Sequence, residues 1–416
     1  MSSNSSIVDR SSHSQALDGV KVLDFGWALV GSLTSKYLAD YGAEVVKIES
    51  STRIDLSRLV RNVSTAQANN LDDKPWFVHL NTSKFGFTFN LKHPRAREVM
   101  DRLIRWADVI NENFTPGTLA KLGYGYDYAC KLSPGIIMVS GSAYGQTGPL
   151  AHEWGIDGTG AAWSGYLDLT GWADRDPVGP QMPYGDAVVP YLNILAVVAA
   201  LDYRRRTGKG QHIDTAMTDV ATHQITPFLL DWQVNGHLQT RAGNRIAHAS
   251  PHGVFPCQGE DQWCAIAVFN HEEWNAFCRV IGNPDWTSEA RFSTLALRKE
   301  NEDVLEGLVA EWTRQQTAET VMNLMQRAGV PAGVVQTAQD LIERDPQMRA
   351  REFLTPLEHP VLRTMGHPTP PFKLMETPAQ VRTAPRLGEH VEYVCKHMLG
   401  MSDAEYAELA QADVFK

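Results

Sequence analysis

The stretch VKVLDFGWALVGSLTSKYLADYGAEVVKIE, residues 20–49, decides the fold class. Val20 to Phe25 is a short β-rich run, and a loop then leads into an apolar-periodic segment from about Leu33 to Tyr41 that reads as a helix. Gly42 stands where a helix C-cap is expected, and Glu44 to Glu49 forms a second strand. Strand, helix, strand is the unit from which parallel sheets are built, so the first half of the chain is α/β.

Working outward, the alternation continues. Pro94 to Trp106 is periodic at Val99, Leu103 and Ile104, and Asp108 to Asn111 is a short strand. A helix is expected near Thr118 to Leu122, and Ile136 to Ser140 is a wholly apolar strand that runs into the Gly-rich loop Gly141 to Pro149. Val188 to Arg206 forms a long helix, stopped by Thr207-Gly208-Lys209-Gly210 before the strand His212 to Ala216. Ligands of open α/β sheets gather at the carboxyl ends of such strands. From Gln224 the composition shifts to scattered Trp and Phe. The segments are then a flexible tail 1–16, a large α/β domain 17–223, a small α+β domain 224–325 and a C-terminal return 326–416, with His359 to Pro385 as an ordered surface excursion.

The chain has 416 residues, 43% of them apolar, and a net charge of −10, which suits an enzyme-sized body and disfavours a polyphosphate partner. Five cysteines with no C-x-x-C pair read as reduced thiols, and the polar Ser-rich start lacks the apolar core of a secretory signal, so a cytoplasmic setting is expected, with neither nucleic acid nor membrane as partner. The longest apolar run, Ile194 to Leu201, reads as part of a buried helix. Familiar cofactor motifs fail. Gly26 to Gly31 has phosphate-loop spacing but Ser32 and Leu33 stand where Lys and Ser/Thr are needed, and Trp163 fills the third position after Gly158 and Gly160. No metal site and no tightly bound cofactor is assigned.

Asp186 is the residue on which the chemistry turns. It lies in Pro183-Tyr184-Gly185-Asp186, at the entry to the long helix, where an Asp ordinarily caps the helix by accepting backbone N–H bonds. A carboxylate with the usual pKa near 3.9 is also ionised at neutral pH and can attack a thioester carbonyl. Local pattern leaves both readings open.

Six segments taken in order are more specific: residues 17–50, LNTSKFGFTFNLKHP at 80–94, ADVINENFTPGTLAKLGYGYD at 107–127, SGSAYGQTGP at 140–149, residues 184–214 with YGD and TGKGQ, and PHGVFPCQGEDQW at 251–263. Together with GVPAGVV and LGEH farther on, this set resembles the class III CoA-transferases, the family of formyl-CoA and carnitine CoA-transferases. The resemblance implies a Rossmann-like large domain, a smaller α+β domain and an interlocked dimer, with acyl-CoA and a carboxylic acid as substrates. It implies that Asp186 is the nucleophile, forming a mixed anhydride and then an aspartyl-CoA thioester. It places Ala28, Leu29 and Val30 beside the thioester, Asn113 and Phe114 along the nucleotide, and Lys84 and Lys121 as CoA-contacting basic residues.

Two departures bear on the substrate. Leu29 replaces a glutamine of formyl-CoA transferase, which leaves backbone N–H groups to stabilise an oxyanion, and that enzyme's glycine-run loop is not evident near Gly243 or Gly259. A larger acid, bulky or aromatic such as an aryl-succinate, fits better than formate. Trp27, Trp154, Trp163 and Trp172 flank the catalytic segments, although core packing is the ordinary role of such residues. A related 2-methylacyl-CoA racemase needs a His where Ile156 stands, and Ile cannot exchange a proton. A CoA-binding subunit of a heteromeric transferase would not need Asp186.

Overall fold

The computed structural model describes residues 15–59, 70–179 and 183–416. The flexible tail expected at 1–16 therefore lies almost wholly outside the described residues. The described residues fall into two compact units, one within 15–167, 179–237 and 349–416, the other within 168–178 and 238–348. The boundary expected at 224 thus falls near 238, and that expected at 325 near 348. The physical reason for the first shift is that the helices Met217–Gln224 and Thr226–Asn235 continue the crossover elements of the large unit.

In the large unit β1 (Lys21–Asp24), α1 (Val30–Asp40) and β2 (Glu44–Glu49) form the expected opening. They are followed by α2 (Pro75–Leu80), β3 (Phe85–Thr88), α3 (Ala96–Trp106), β4 (Val109–Glu112), α4 (Thr118–Lys121), α5 (Tyr126–Leu132) and β5 (Ile137–Ser142). Then come α6 (Asp157–Trp163), α7 (Tyr184–Thr207), β6 (His212–Ala216), α8 (Met217–Gln224) and α9 (Thr226–Asn235). The six strands order as β3-β2-β1-β4-β5-β6, and each neighbouring pair is parallel. This is the doubly wound Rossmann order, whose topological switch point lies between β1 and β4.

Alternate strand residues feed two cores. Val22, Val45, Val109, Ile137 and Val139 pack with Leu38 and Ala39 of α1 and Val197 and Ala200 of α7. Leu23, Val46, Ile48, Phe87, Ile110 and Met138 pack on the other face with α3, with Ala129 of α5 and with Leu409 of a C-terminal helix, Asp403–Gln411. The period-2 alternation of a strand covered on both faces produces this division.

The expectation of a buried helix around Ile194 to Leu201 is met on one side only. Val189, Pro190, Asn193, Val197 and Ala200 of α7 are buried, whereas Tyr191, Leu192, Leu195 and Val198 are exposed, because α1 and the sheet cover a single face. By length and composition α7 could also cross a membrane. The Pro-rich excursion expected from His359 opens on an unforeseen antiparallel hairpin, in which β10 (Leu354–His359) ends at its first residue and β11 (Arg363–Pro368) lies within it. The second unit holds a three-stranded antiparallel sheet of β7 (His252–Pro256), β8 (Trp263–Ala267) and β9 (Ala332–Val334). Its core adds Trp274, Phe277, Leu305, Val309 and Val321 from three helices, which gives the α+β character expected of it.

Candidate active site

The carboxyl ends of β1 and β4 carry the loop Gly26–Leu29 and the pair Asn113-Phe114, so the switch point brings these expected site residues together. The Asn113 side chain ties the two. Its Oδ1 accepts from the Trp27 N–H at 2.7 Å, and its Nδ2 donates to the Trp27 carbonyl at 3.0 Å. The glycines at 26 and 31, which resembled a phosphate loop, serve close backbone approach instead. A Cβ on Gly26 would lie 2.5 Å from the Gly31 carbonyl carbon, and one on Gly31 would lie 2.6 Å from Asn113 Oδ1. Phe114 is half-buried, edge-on to Trp27 with ring centroids 6.1 Å apart.

The loop offers backbone more than side chains. Leu29 packs with Leu33, Tyr37 and Leu80, and Val30 packs with Val189, Met217 and Val220. Their N–H groups, among the orphan donors at the start of a helix, have no hydrogen-bond partner among the described residues. Ala28 lies between them and the strand with φ +50.

Lys84, expected to contact CoA, is placed beneath the loop. Its side chain is wholly buried and its ammonium donates to Asp24 Oδ2 at 3.0 Å, the Ser32 carbonyl at 2.9 Å and Asn81 Oδ1 at 2.9 Å. All three N–H donors are occupied, so it neutralises Asp24 beneath the loop. Burial pulls this ammonium down to about 8 against the attraction of Asp24. Lys121, at the end of α4, is exposed and has no ion-pair partner among the described residues.

Asp186 sits in the first turn of α7, three residues after Pro183, the residue in the N-cap position. Pro183, not Asp186, holds the N-cap position, and no hydrogen bond to the Asp186 carboxylate is made by the described residues, which goes against the capping reading. Asp157, at the start of α6, does that work from a distance: its Oδ1 accepts from the Asp186 backbone N–H at 3.0 Å. Gly185 permits the approach, since a Cβ there would lie 2.9 Å from the same oxygen and 2.7 Å from Met217 Cγ. Met217 and Val189 share a buried cluster with Val30, so Asp186 lies one helical turn before a side chain that packs against the start of α1.

No donor meets the Asp186 carboxylate among the described residues. Burial, reinforced by the charge of Asp157, raises it to about 7. The ordinary value near 3.9 expected from the sequence is thereby corrected: at neutral pH the group is poised between acid and carboxylate, and is more basic as a nucleophile. Asp157 was missed because nothing in Gly155-Ile156-Asp157 indicates a partner 29 residues away. Of the four tryptophans, Trp154 (88% exposed), Trp163 and Trp172 stand in solvent and Trp27 is half-buried, so core packing is not their role.

The family model for CoA-transferase family III matches residues 17–391. The chain is 30% identical over 394 residues to the succinyl-CoA–D-citramalate CoA-transferase of Chloroflexus aurantiacus, covering 94% of this chain and 96% of that one. It is 29% identical to the formyl-CoA:oxalate CoA-transferase of Rhodopseudomonas palustris, covering 95% and 96%. A crystal structure of a CaiB/BaiF family protein from Brucella suis superposes with a TM-score of 0.84 at 28% identity, over 93% of this chain and all of that one. Matches of this length span the sheet, the switch-point loops and the Asp186 segment alike, and the chain belongs to CoA-transferase family III.

Proposed function

We propose that this chain moves CoA from an acyl-CoA donor such as succinyl-CoA to an organic acid by covalent catalysis on Asp186. The observation that carries the reading is a sheltered carboxylate with no hydrogen-bond donor among the described residues, in a chain of CoA-transferase family III. The Asp186 carboxylate attacks the thioester carbonyl, the C–S bond breaks, and CoA thiolate leaves a mixed anhydride. The thiolate then attacks the aspartyl carbonyl, releasing the donor acid and forming an aspartyl-CoA thioester. The acceptor carboxylate reverses both steps and leaves as its CoA thioester. Free N–H groups of Leu29 and Val30 supply donors for the oxyanion, in place of a side-chain amide. Ala28, Asn113 and Phe114 contact the CoA, and Lys121 provides an exposed cation for its phosphates, the role that Lys84 is too deeply paired to fill.

The acceptor is an acid larger than formate, bulky or aromatic as in an aryl-succinate. Support comes from the exposed Trp154 and Trp163 on the approach to and in α6, and from a relative whose name specifies D-citramalate. The active form is a cytoplasmic homodimer. Its support is the apolar surface that one copy leaves open: α9 buries no residue and exposes Phe228, Leu229, Leu230, Trp232 and Val234, and α7 exposes Leu195. Purified chain should scatter light as a dimer at low micromolar concentration, and a stable folded monomer contradicts that assembly. Succinyl-CoA tested against a panel of mono-, di- and aryl-substituted acids should give transfer to the larger acids, and exclusive use of formate and oxalate contradicts the acceptor class.

A further inference from the structure

The β1–α1 loop is held by buried charged side chains as well as by packing. Ala28 has φ +50, a left-handed conformation that L side chains adopt at a cost, and such conformations persist where the surroundings over-determine them. Two buried residues grip the loop on either side of Trp27. The Lys47 ammonium donates to the Gly26 carbonyl at 2.6 Å, and the Ala28 N–H donates to Asp55 Oδ1 at 3.2 Å. Lys47 and Asp55 are themselves paired, Nζ to Oδ2 at 2.9 Å, with neither side chain exposed. Asp55 is fixed in turn, its Oδ1 accepting from the Ser57 N–H at 2.9 Å and hydroxyl at 2.8 Å. Burial works to raise the Asp55 carboxyl, but Lys47 overcomes it and holds the group below its ordinary range, so both partners remain charged. Removing two charges from water is costly, and one hydrogen bond of each is spent on the backbone of this loop.

We propose that Asp55, acting with Lys47, is a positioning residue that locks the Gly26–Leu29 loop in the shape that receives the thioester end of the CoA substrate. Asp55 touches no reacting atom. It acts through the Ala28 amide, and the lock aims the free N–H groups of Leu29 and Val30. This inference rests on the proposed transferase reading, in which that loop faces the thioester.

The test is exchange of labelled succinate into succinyl-CoA by the full-length protein. Wild-type protein that exchanges no label contradicts the transferase reading with this donor, and the lock is then judged with whichever acyl-CoA the wild type does use. Given exchange, Asp55→Ala should lower kcat/KM for the donor by about tenfold or more, the size set by the cost of holding a non-glycine residue left-handed. The distinguishing readout is coupling to Ala28→Gly, because glycine adopts φ +50 without restraint. That substitution should raise kcat/KM at least about threefold more in the Asp55→Ala background than in wild type. Equal effects in both backgrounds, or an Asp55→Ala enzyme with unchanged kcat/KM, overturn the proposal. Should Asp55→Ala fail to fold because Lys47 is left buried and unpaired, Ala28→Val in the otherwise unaltered chain decides. A β-branched residue resists the left-handed conformation, so kcat/KM should fall about tenfold with far-UV circular dichroism unchanged, and retention of full kcat/KM overturns the proposal.

Discussion

Asp24 and Asp186 are two carboxylates of the same unit, both largely withdrawn from water, with opposite surroundings. Asp24 is wholly buried at the end of β1 and receives four donors: the Lys84 ammonium at 3.0 Å, the Ser35 hydroxyl at 2.6 Å, the Asn111 amide at 2.7 Å and the Gly26 N–H at 2.8 Å. Asp186 receives none among the described residues, and its charged neighbour is a second carboxylate. A buried carboxylate with every lone pair engaged is structural. One kept out of water without compensation costs stability, and such strain is characteristic of groups whose reactivity is used.

The largest effects should separate these two roles. Asp186→Asn should lower CoA transfer by about 10³-fold or more, the scale on which loss of a covalent nucleophile acts, while the protein still folds and binds CoA. Asp24→Ala should instead destabilise the fold by about 3–5 kcal/mol in chemical denaturation, since it strands the Lys84 ammonium in the interior. An Asp24→Ala protein of normal stability, or an Asp186→Asn protein with normal turnover after deamidation is excluded, breaks the contrast.

A smaller effect is on stability against pH. Because the folded-state value of Asp186 is raised to about 7, the group favours the folded state fully below its unfolded value near 4, and this contribution is lost as pH rises through 7. Wild type should therefore lose stability relative to Asp186→Asn between pH 4 and 8, by about 1–3 kcal/mol once partial exposure is allowed for. Parallel stability curves across that range would show that Asp186 is not strained by burial.

Asp157→Asn sharpens the comparison most finely. The amide oxygen can still accept from the Asp186 N–H, but the neighbouring charge is gone. In wild type kcat/KM should rise with pH and level off above an inflection near 7, as the nucleophile ionises. In Asp157→Asn the inflection should move down while burial, the larger cause, keeps it above the ordinary carboxylate range. An unmoved inflection would remove Asp157 from the electrostatics of the site.

Much of the architecture was legible because the βαβ signal is local. Glu44 to Glu49 is a strand at the residues expected, and Ile137–Ser142 differs from its expectation by one or two residues at each end. Helix α7 began earlier than Val188, and the difference matters, since it moves Asp186 from a cap into the first turn. Properties set by distant partners were not legible. The depth of Lys84 depends on Asp24, 60 residues earlier, and exposed Lys is the usual case. The raised carboxyl of Asp186 depends on packing and on Asp157, and the inward turn of Leu29 depends on Tyr37 and Leu80. Hairpin β10–β11 was hidden because Pro356 and Pro368, which weigh against strand, lie within it.

The central claim is that Asp186 is the nucleophile that carries CoA as a thioester, and trapping that intermediate tests it most directly. The protein is incubated with succinyl-CoA and no added acceptor, digested, and its peptides weighed with and without hydroxylamine. The account predicts CoA attached to the peptide carrying Tyr184 to Pro190, released by hydroxylamine and absent from Asp186→Asn. Turnover with no adduct on that peptide, or an adduct of equal yield in Asp186→Asn, would contradict it.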